Sequence, residues 1–98
     1  MIMFNPPHPG EILREDYMNP LKLTINGLAE ALGVSQQIIS EIVNERKGIS
    51  SEMPICLSKA FSTSPQLWIG MQAEYDLWQA SQKTINHVIP TLYREQAS

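Results

Sequence analysis

Residues 28–42 read LAEALGVSQQIISEI, and they hold the most informative pattern in the chain. Two short amphipathic segments meet at Gly33, which permits a sharp turn, and Val34, which fills the gap between them. The small side chain of Ala29 allows the second segment to pack closely on the first. Ser35 is suited to cap the second segment as a helix. The stretch therefore predicts a helix-turn-helix, with its second helix at about residues 35–44.

Prolines and capping residues divide the rest of the chain into short helices. We expect the first helix to end at Asn19-Pro20, because a residue before proline avoids the helical conformation. The fourth should contain Glu52 and Pro54 in its first turn, and Ser64-Pro65 should begin the last and longest. The expected helices cover residues 9–18, 24–32, 35–43, a segment from about Ser51, and 65–82. The predicted fold is thus all-α, a five-helix domain over residues 1–83 with a short C-terminal extension over 84–98.

Composition favours an ordinary globular protein. The 98 residues suit one domain, with 43% hydrophobic and 17% charged residues. No apolar run approaches the roughly 18 residues needed to cross a bilayer, and the first residues do not resemble a secretory signal. Cys56 is the single cysteine, which excludes an internal disulfide. We therefore expect a cytoplasmic protein that does not associate with membranes.

Candidate catalytic chemistry is absent from the pattern. There is no phosphate-binding loop, no nucleophile–base pair and no cluster of metal ligands, so we expect neither an enzyme nor a small-molecule substrate. His8, Glu11 and Glu15 could be taken as a metal-binding set, but His8 precedes the helix and no second histidine lies nearby. We expect His8 instead to fix the entry into the first helix. We expect no cofactor and no metal.

The second helix of the motif carries side chains that suit DNA. Glutamine can bond the N6 and N7 atoms of adenine, serine can bond several bases, and Ile38 could touch a thymine methyl group. Arg46 and Lys47 follow this helix, where they would lie near phosphates. The alternative is two polar helices of a bundle that binds no DNA. The DNA contacts expected from this pattern are Ser35, Gln36, Gln37, Ile38, Ser40, Glu41, Asn44, Arg46 and Lys47.

The charge of the chain opposes DNA binding. The formal net charge is −3, whereas nucleic-acid-binding proteins usually carry a basic surplus. Four glutamates accompany the three basic residues of segment 24–61, so no basic stripe is visible. Phosphate neutralisation supplies most non-specific affinity, so a dimer or helix N-termini must compensate.

The last predicted helix carries an aromatic stripe. Trp68, Met71, Tyr75 and Trp78 repeat at helical spacing, which is typical of a core and dimer face rather than a ligand pocket. One bundle of this size does not readily hide so many large side chains. We therefore expect a homodimer with these four residues at its interface.

Six stretches together resemble a known family. They read HPGEILREDY at 8–17, LAEALGV at 28–34, ISEIV at 39–43, KGIS at 47–50, TSPQLW at 63–68 and MQAEYDL at 71–77. The chain resembles the HigA antitoxins, also called VapI-type proteins, within the lambda-repressor-like helix-turn-helix group. The resemblance extends over most of the chain. It departs from the family at Glu45, where a glycine commonly closes the recognition helix, and near Gln37, where arginine is common.

The resemblance implies a function. Family members are small dimeric repressors of their own operon, and they neutralise a HigB-type toxin, an mRNA-cleaving ribonuclease. It therefore implies two partners, double-stranded operator DNA and a HigB-type toxin. A basic toxin would be attracted to the outward face of the first helix, formed by Glu11, Arg14 and Glu15, which we expect to lie away from the recognition helix. The alternatives are a stand-alone helix-turn-helix repressor and a protein-interaction module that has lost DNA binding.

Overall fold

The computed structural model describes residues 5–50 and 52–83. The secondary structure of these residues consists of five helices. Helix α1 joins three successive stretches, Pro9–Ile12, the π-helical Leu13–Met18 and Asn19–Leu21. The remaining helices are α2 at Ile25–Leu32, α3 at Gln36–Val43, α4 at Met53–Phe61 and α5 at Pro65–Ser81. The predicted all-α fold with a long last helix is confirmed. The C-terminal extension at 84–98 lies outside the described residues.

Three helices begin at hydroxyl side chains, and the starts at Ser35 and Ser64 were predicted from the sequence. Thr24, Ser35 and Ser64 each accept a hydrogen bond from the backbone amide three residues further along, at 2.9, 3.2 and 3.1 Å. Each bond satisfies an amide that the first turn of a helix leaves without a partner. Gly33 ends α2 in the left-handed conformation, with φ of 71°, and so produces the turn into α3.

The prediction that α1 ends at Asn19-Pro20 was wrong. The helix continues through Pro20 to Leu21 and ends at Lys22, which is left-handed with φ of 56°. In the preceding π-helical turn, the Asn19 amide donates to the carbonyl of Arg14, five residues earlier. This wider turn removes the conflict between a proline ring and the carbonyl four residues before it.

Helix α4 begins two residues later than expected. Its first residue is Met53, and Glu52 is the preceding cap residue, without a capping bond from its side chain. Pro54 lies in the first turn, as predicted, where its missing amide costs no hydrogen bond. Ser51 lies outside the described residues.

All five helices contribute side chains to the core. Trp68 of α5 is completely buried, and its indole nitrogen donates to the Thr63 hydroxyl at 2.8 Å. Its ring lies 5.2 Å from that of Tyr17, so the same side chain also packs against α1. The buried apolar residues are Leu13, Met18, Leu28, Ala29, Ile39, Ile42, Val43, Ile49, Met53, Leu57 and Trp68. No helix among the described residues combines the length and apolar character that crossing a membrane requires.

Helix α1 passes directly over the end of α3. A Cβ atom on Gly10 would overlap the carbonyl oxygen of Ile42, in the last turn of α3. The expectation that α1 lies away from the recognition helix was therefore wrong for this end of α3. The sequence contains little indication of this contact, because Gly10 and Ile42 are 32 positions apart in the chain.

A methyl group at Gly10 should therefore destabilise the fold. We expect Gly10→Ala to lower the free energy of unfolding by about 1–3 kcal/mol, because the two helices must move apart. Urea denaturation followed by circular dichroism measures the change. Gly70→Ala is the matched control, since Gly70 lies in α5 with open space around it, and alanine there should stabilise by up to about 1 kcal/mol. Equal stability of Gly10→Ala and wild type would contradict the close packing.

Candidate nucleic-acid interface

The outer face of α3 presents polar side chains on a rigidly packed helix. Ser35, Gln36 and Gln37 are exposed at its N-terminal end, whereas Ser40 and Glu41 are half-buried along the same face. On the opposite face, Ile39, Ile42 and Val43 are buried, as predicted. The helix therefore keeps a fixed position while its first turn remains free to contact another molecule.

Two local hydrogen bonds orient side chains on this face. The Gln37 amide nitrogen donates to the Glu41 carboxylate at 3.4 Å, and the Asn44 amide nitrogen donates to the Ser40 hydroxyl at 3.3 Å. Both pairs are four residues apart, which is the spacing of neighbours on a helix surface. Glu41 thus competes with a base edge for the Gln37 amide.

The N-terminal end of α2 lies beside that of α3. Ile25 and Asn26 line a shallow cleft together with Gln36, Gln37 and Ser40. Asn26 is exposed there and was not among the DNA contacts predicted from the sequence. The position of Asn26 in the first turn after the Thr24 cap could have indicated a phosphate contact, because helix N-termini attract phosphate groups.

The turn after α3 carries the two basic residues. The Arg46 and Lys47 amides both donate to the Glu41 carbonyl, at 2.8 and 3.2 Å, and both side chains are exposed. Glu45 begins this turn in the left-handed conformation, with φ of 62°. That conformation costs about 1–2 kcal/mol for a residue with a Cβ atom. The loop is joined to α5 further on, where the Ile49 amide donates to the side chain of Gln72 at 2.7 Å.

Arg14 faces α3 rather than solvent alone. Its guanidinium donates to the Val43 carbonyl at the end of α3. It also pairs with the carboxylates of Glu15, at 3.1 Å, and Glu45, at 3.9 Å. The predicted toxin-binding set is therefore divided, because Glu11 and Glu15 are exposed whereas Arg14 is engaged with the recognition helix.

His8 caps the first helix, as the sequence analysis proposed. Its Nδ1 atom accepts a hydrogen bond from the Gly10 amide at 2.8 Å, and the side chain is buried. Burial lowers the pKa of His8, which favours the neutral ring that this acceptor role requires. The nearby carboxylates of Glu45, Asp76 and Glu11 act in the opposite direction.

The aromatic stripe of α5 faces mostly inward. Trp68 belongs to the core of the chain and so is not on a surface that a partner can reach, which corrects its expected place at a dimer interface. Met71 packs against the core, and the Tyr75 ring meets His8 edge-on at 4.7 Å. Trp78 is half-buried near the same end of the helix. The stripe therefore serves chiefly to dock α5 on its own protomer.

Comparison with known proteins identifies the family. A family model described as helix-turn-helix matches residues 15–68, which are more than half of the chain. The chain belongs to this family. The helix-turn-helix chain is 46% identical over 85 residues to virulence-associated protein I of Dichelobacter nodosus, covering 85% of this chain and 79% of the relative.

Two further relatives refine the placement within the helix-turn-helix family. Antitoxin HigA-1 of Vibrio cholerae is 32% identical over 73 residues, covering 74% of this chain and 69% of the relative. The structure of Pseudomonas aeruginosa antitoxin HigA with the higBA promoter has a TM-score of 0.82 and 41% identity, covering 91% of this chain and all of that one. The chain is thus a helix-turn-helix protein of the HigA and VapI type, which confirms the resemblance seen in the sequence.

Family membership also bears on catalysis and ligands. Helix-turn-helix proteins of this type are DNA-binding antitoxins and regulators rather than enzymes, in agreement with the sequence analysis. Within residues 5–50 and 52–83, no group of three or more histidine, cysteine or acidic side chains is arranged to hold a metal ion. Cys56 is a half-buried free thiol on α4.

Proposed function

We propose that this chain is the antitoxin of a type II toxin–antitoxin pair. In this role it represses its own operon by binding operator DNA, and it neutralises a HigB-type, mRNA-cleaving toxin. The observation that carries the proposal is the exposed polar end of α3, held by its Ser35 cap and its buried inner face. The likeness to a HigA antitoxin whose structure includes its promoter supports the same reading.

The first turn of α3 recognises the base sequence of the operator. Recognition helices enter the major groove with their N-terminal residues foremost, which is where Gln36 and Gln37 are exposed. A glutamine placed in this way can make a bidentate contact to adenine. Arg46 and Lys47 are exposed beyond the other end of α3, where phosphate contacts would fix the register of the helix.

Acidic side chains near the recognition helix weaken this proposal for a single protomer. Glu30 and Glu45 are exposed, and Glu41 is half-buried on the face of α3 itself. These charges repel phosphates and favour the second candidate, a protein-interaction module that does not bind DNA. A dimer offsets the weakness because it presents two recognition helices to one operator.

The dimer that we propose uses the outer face of α5. Leu67, Ile69 and Leu77 are 39%, 55% and 53% exposed, so large apolar groups of this helix remain in contact with water in the protomer. Covering apolar surface of this kind is a common reason for association. The proposed interface centres on Ile69 and Leu77, which lie on the side of α5 away from Met71, Tyr75 and Trp78.

DNA binding is tested by separating base contacts from phosphate contacts. We expect Gln36→Ala and Gln37→Ala each to reduce the preference for the native promoter over a scrambled duplex by about 1–3 kcal/mol. Lys47→Ala should weaken binding to both duplexes alike and lower the salt slope by about one, because a phosphate contact is lost. Fluorescence anisotropy titrations at several salt concentrations measure both quantities.

Lys59→Ala is the control for charge, because Lys59 is exposed on α4, outside the proposed interface. This variant should bind like the wild type. Failure of the wild type to bind either duplex at low salt would reject operator binding. It would favour the second candidate function, a protein-interaction module that does not bind DNA.

Dimerisation is tested by placing charge on the outer face of α5. Ile69→Asp and Leu77→Asp should convert a dimer to a monomer at micromolar concentrations, because each buries a carboxylate in an apolar interface. Sedimentation equilibrium gives the mass. Leu21→Asp is the matched control, since Leu21 is 61% exposed at the end of α1 and should tolerate the charge without dissociation. A monomeric wild type would contradict the proposal.

Toxin binding is proposed for the outward glutamates of α1, without Arg14. Glu11→Lys should weaken co-purification with a co-expressed HigB-type toxin and make the remaining association less dependent on salt. Glu30→Lys, the same change on exposed α2, should leave the complex intact. Residues 91–98 lie outside the described part of the chain, and their deletion should also leave the complex intact. Loss of the complex on that deletion, with none on Glu11→Lys, would place the toxin elsewhere.

A further inference from the structure

Helix α1 holds the end of the recognition helix at two adjacent points. Gly10 allows the α1 backbone to reach the Ile42 carbonyl, and Arg14 donates a hydrogen bond to the Val43 carbonyl. Gly10 and Arg14 are four residues apart and so lie on one face of α1. The contact thus spans the last turn of α3. The first turn of the same helix carries Gln36 and Gln37, the proposed base contacts.

The carbonyl groups of that last turn show why Arg14 is needed. The last four carbonyls of a helix have no amide partner within the helix. The amides of the following turn donate to the carbonyls of Ser40, Glu41 and Ile42. The partner of the Val43 carbonyl is the guanidinium of Arg14, which comes from another helix.

The charge of Arg14 strengthens this contact. The C-terminal end of a helix carries partial negative charge, so a cation there is favourable. Hydrogen bonds from a charged donor are also about twice as strong as neutral ones. The carboxylates of Glu15 and Glu45 pair with other nitrogens of the same guanidinium, at 3.1 and 3.9 Å, and so help to hold it at the end of α3.

We propose that Arg14 is a positioning residue for operator binding, which rests on the function proposed above. It holds the end of α3, and the turn bearing Arg46 and Lys47, at a fixed place relative to Gln36 and Gln37. Arg14 itself contacts neither base nor phosphate. This assignment replaces its expected place among the toxin contacts.

Two substitutions separate this role from others. Arg14→Met keeps an unbranched apolar stem but removes the donor, whereas Arg14→Lys keeps a charged donor. We expect Arg14→Met to weaken binding to the native promoter about tenfold or more, since bonds from charged donors contribute at this level. Its salt slope should equal that of the wild type because no phosphate contact is lost. Arg14→Lys should restore most of the affinity.

Hydrogen exchange locates the effect in the free protein. In Arg14→Met, the amides of Asn44, Arg46 and Lys47 should exchange faster, while amides in the middle of α5 should keep wild-type rates. Asp16→Asn is the matched control, because it removes an exposed carboxylate of α1 that takes no part in the ion pairs of Arg14. Phe61→Leu controls for general destabilisation, since Phe61 packs on Tyr17 away from this contact. Both controls should bind the promoter like the wild type at temperatures well below unfolding.

The outcomes distinguish this inference from the function on which it rests. A wild type that binds the promoter and an Arg14→Met variant that binds equally well would overturn only the positioning role. A salt slope lowered by about one in Arg14→Met would also overturn it, because Arg14 would then be a phosphate contact. A wild type that binds no promoter DNA would reject operator binding and the operator role of Arg14 together, whatever the exchange rates show.

Discussion

The close approach of α1 to the last turn of α3 sets the position of the recognition helix. Only a glycine fits at position 10, because any side chain would meet the Ile42 carbonyl. That approach brings Arg14 within reach of Val43 and leaves Glu11 and Glu15 on the outer side. One contact therefore decides both how the recognition helix is supported and which charges α1 offers to a partner.

Local signals were enough to predict most of the fold. The caps at Thr24, Ser35 and Ser64 and the turn at Gly33 act within three residues, so they can be recognised without knowing the tertiary structure. The end of α1 was not predictable in this way. The rule for a residue before proline assumes ordinary α-helical spacing, and the π-helical turn at Leu13–Met18 changes that spacing.

The candidate site was only partly predictable, for a related reason. Periodicity along α3 predicted that Gln36 and Gln37 are exposed, since residues on one face of a helix recur about every 3.6 positions. It could not give the neighbourhood of Asn26, which depends on how α2 packs against α3. Nor could it assign Arg14, whose partner Val43 is 29 residues away in the chain. Contacts of this range depend on tertiary packing and leave no periodic pattern in the sequence.

The buried His8 cap links the fold to the acidity of its surroundings. An imidazole in the unfolded chain titrates near its ordinary pKa of 6.5, whereas burial lowers the pKa of His8 in the folded protein. Unfolding therefore takes up a proton between these two values, and the free energy of unfolding falls as the pH decreases through that interval. The full contribution of the neutral ring is present above about pH 6.5. Part of the acid sensitivity of the fold thus arises at the start of α1, the helix that supports the end of α3.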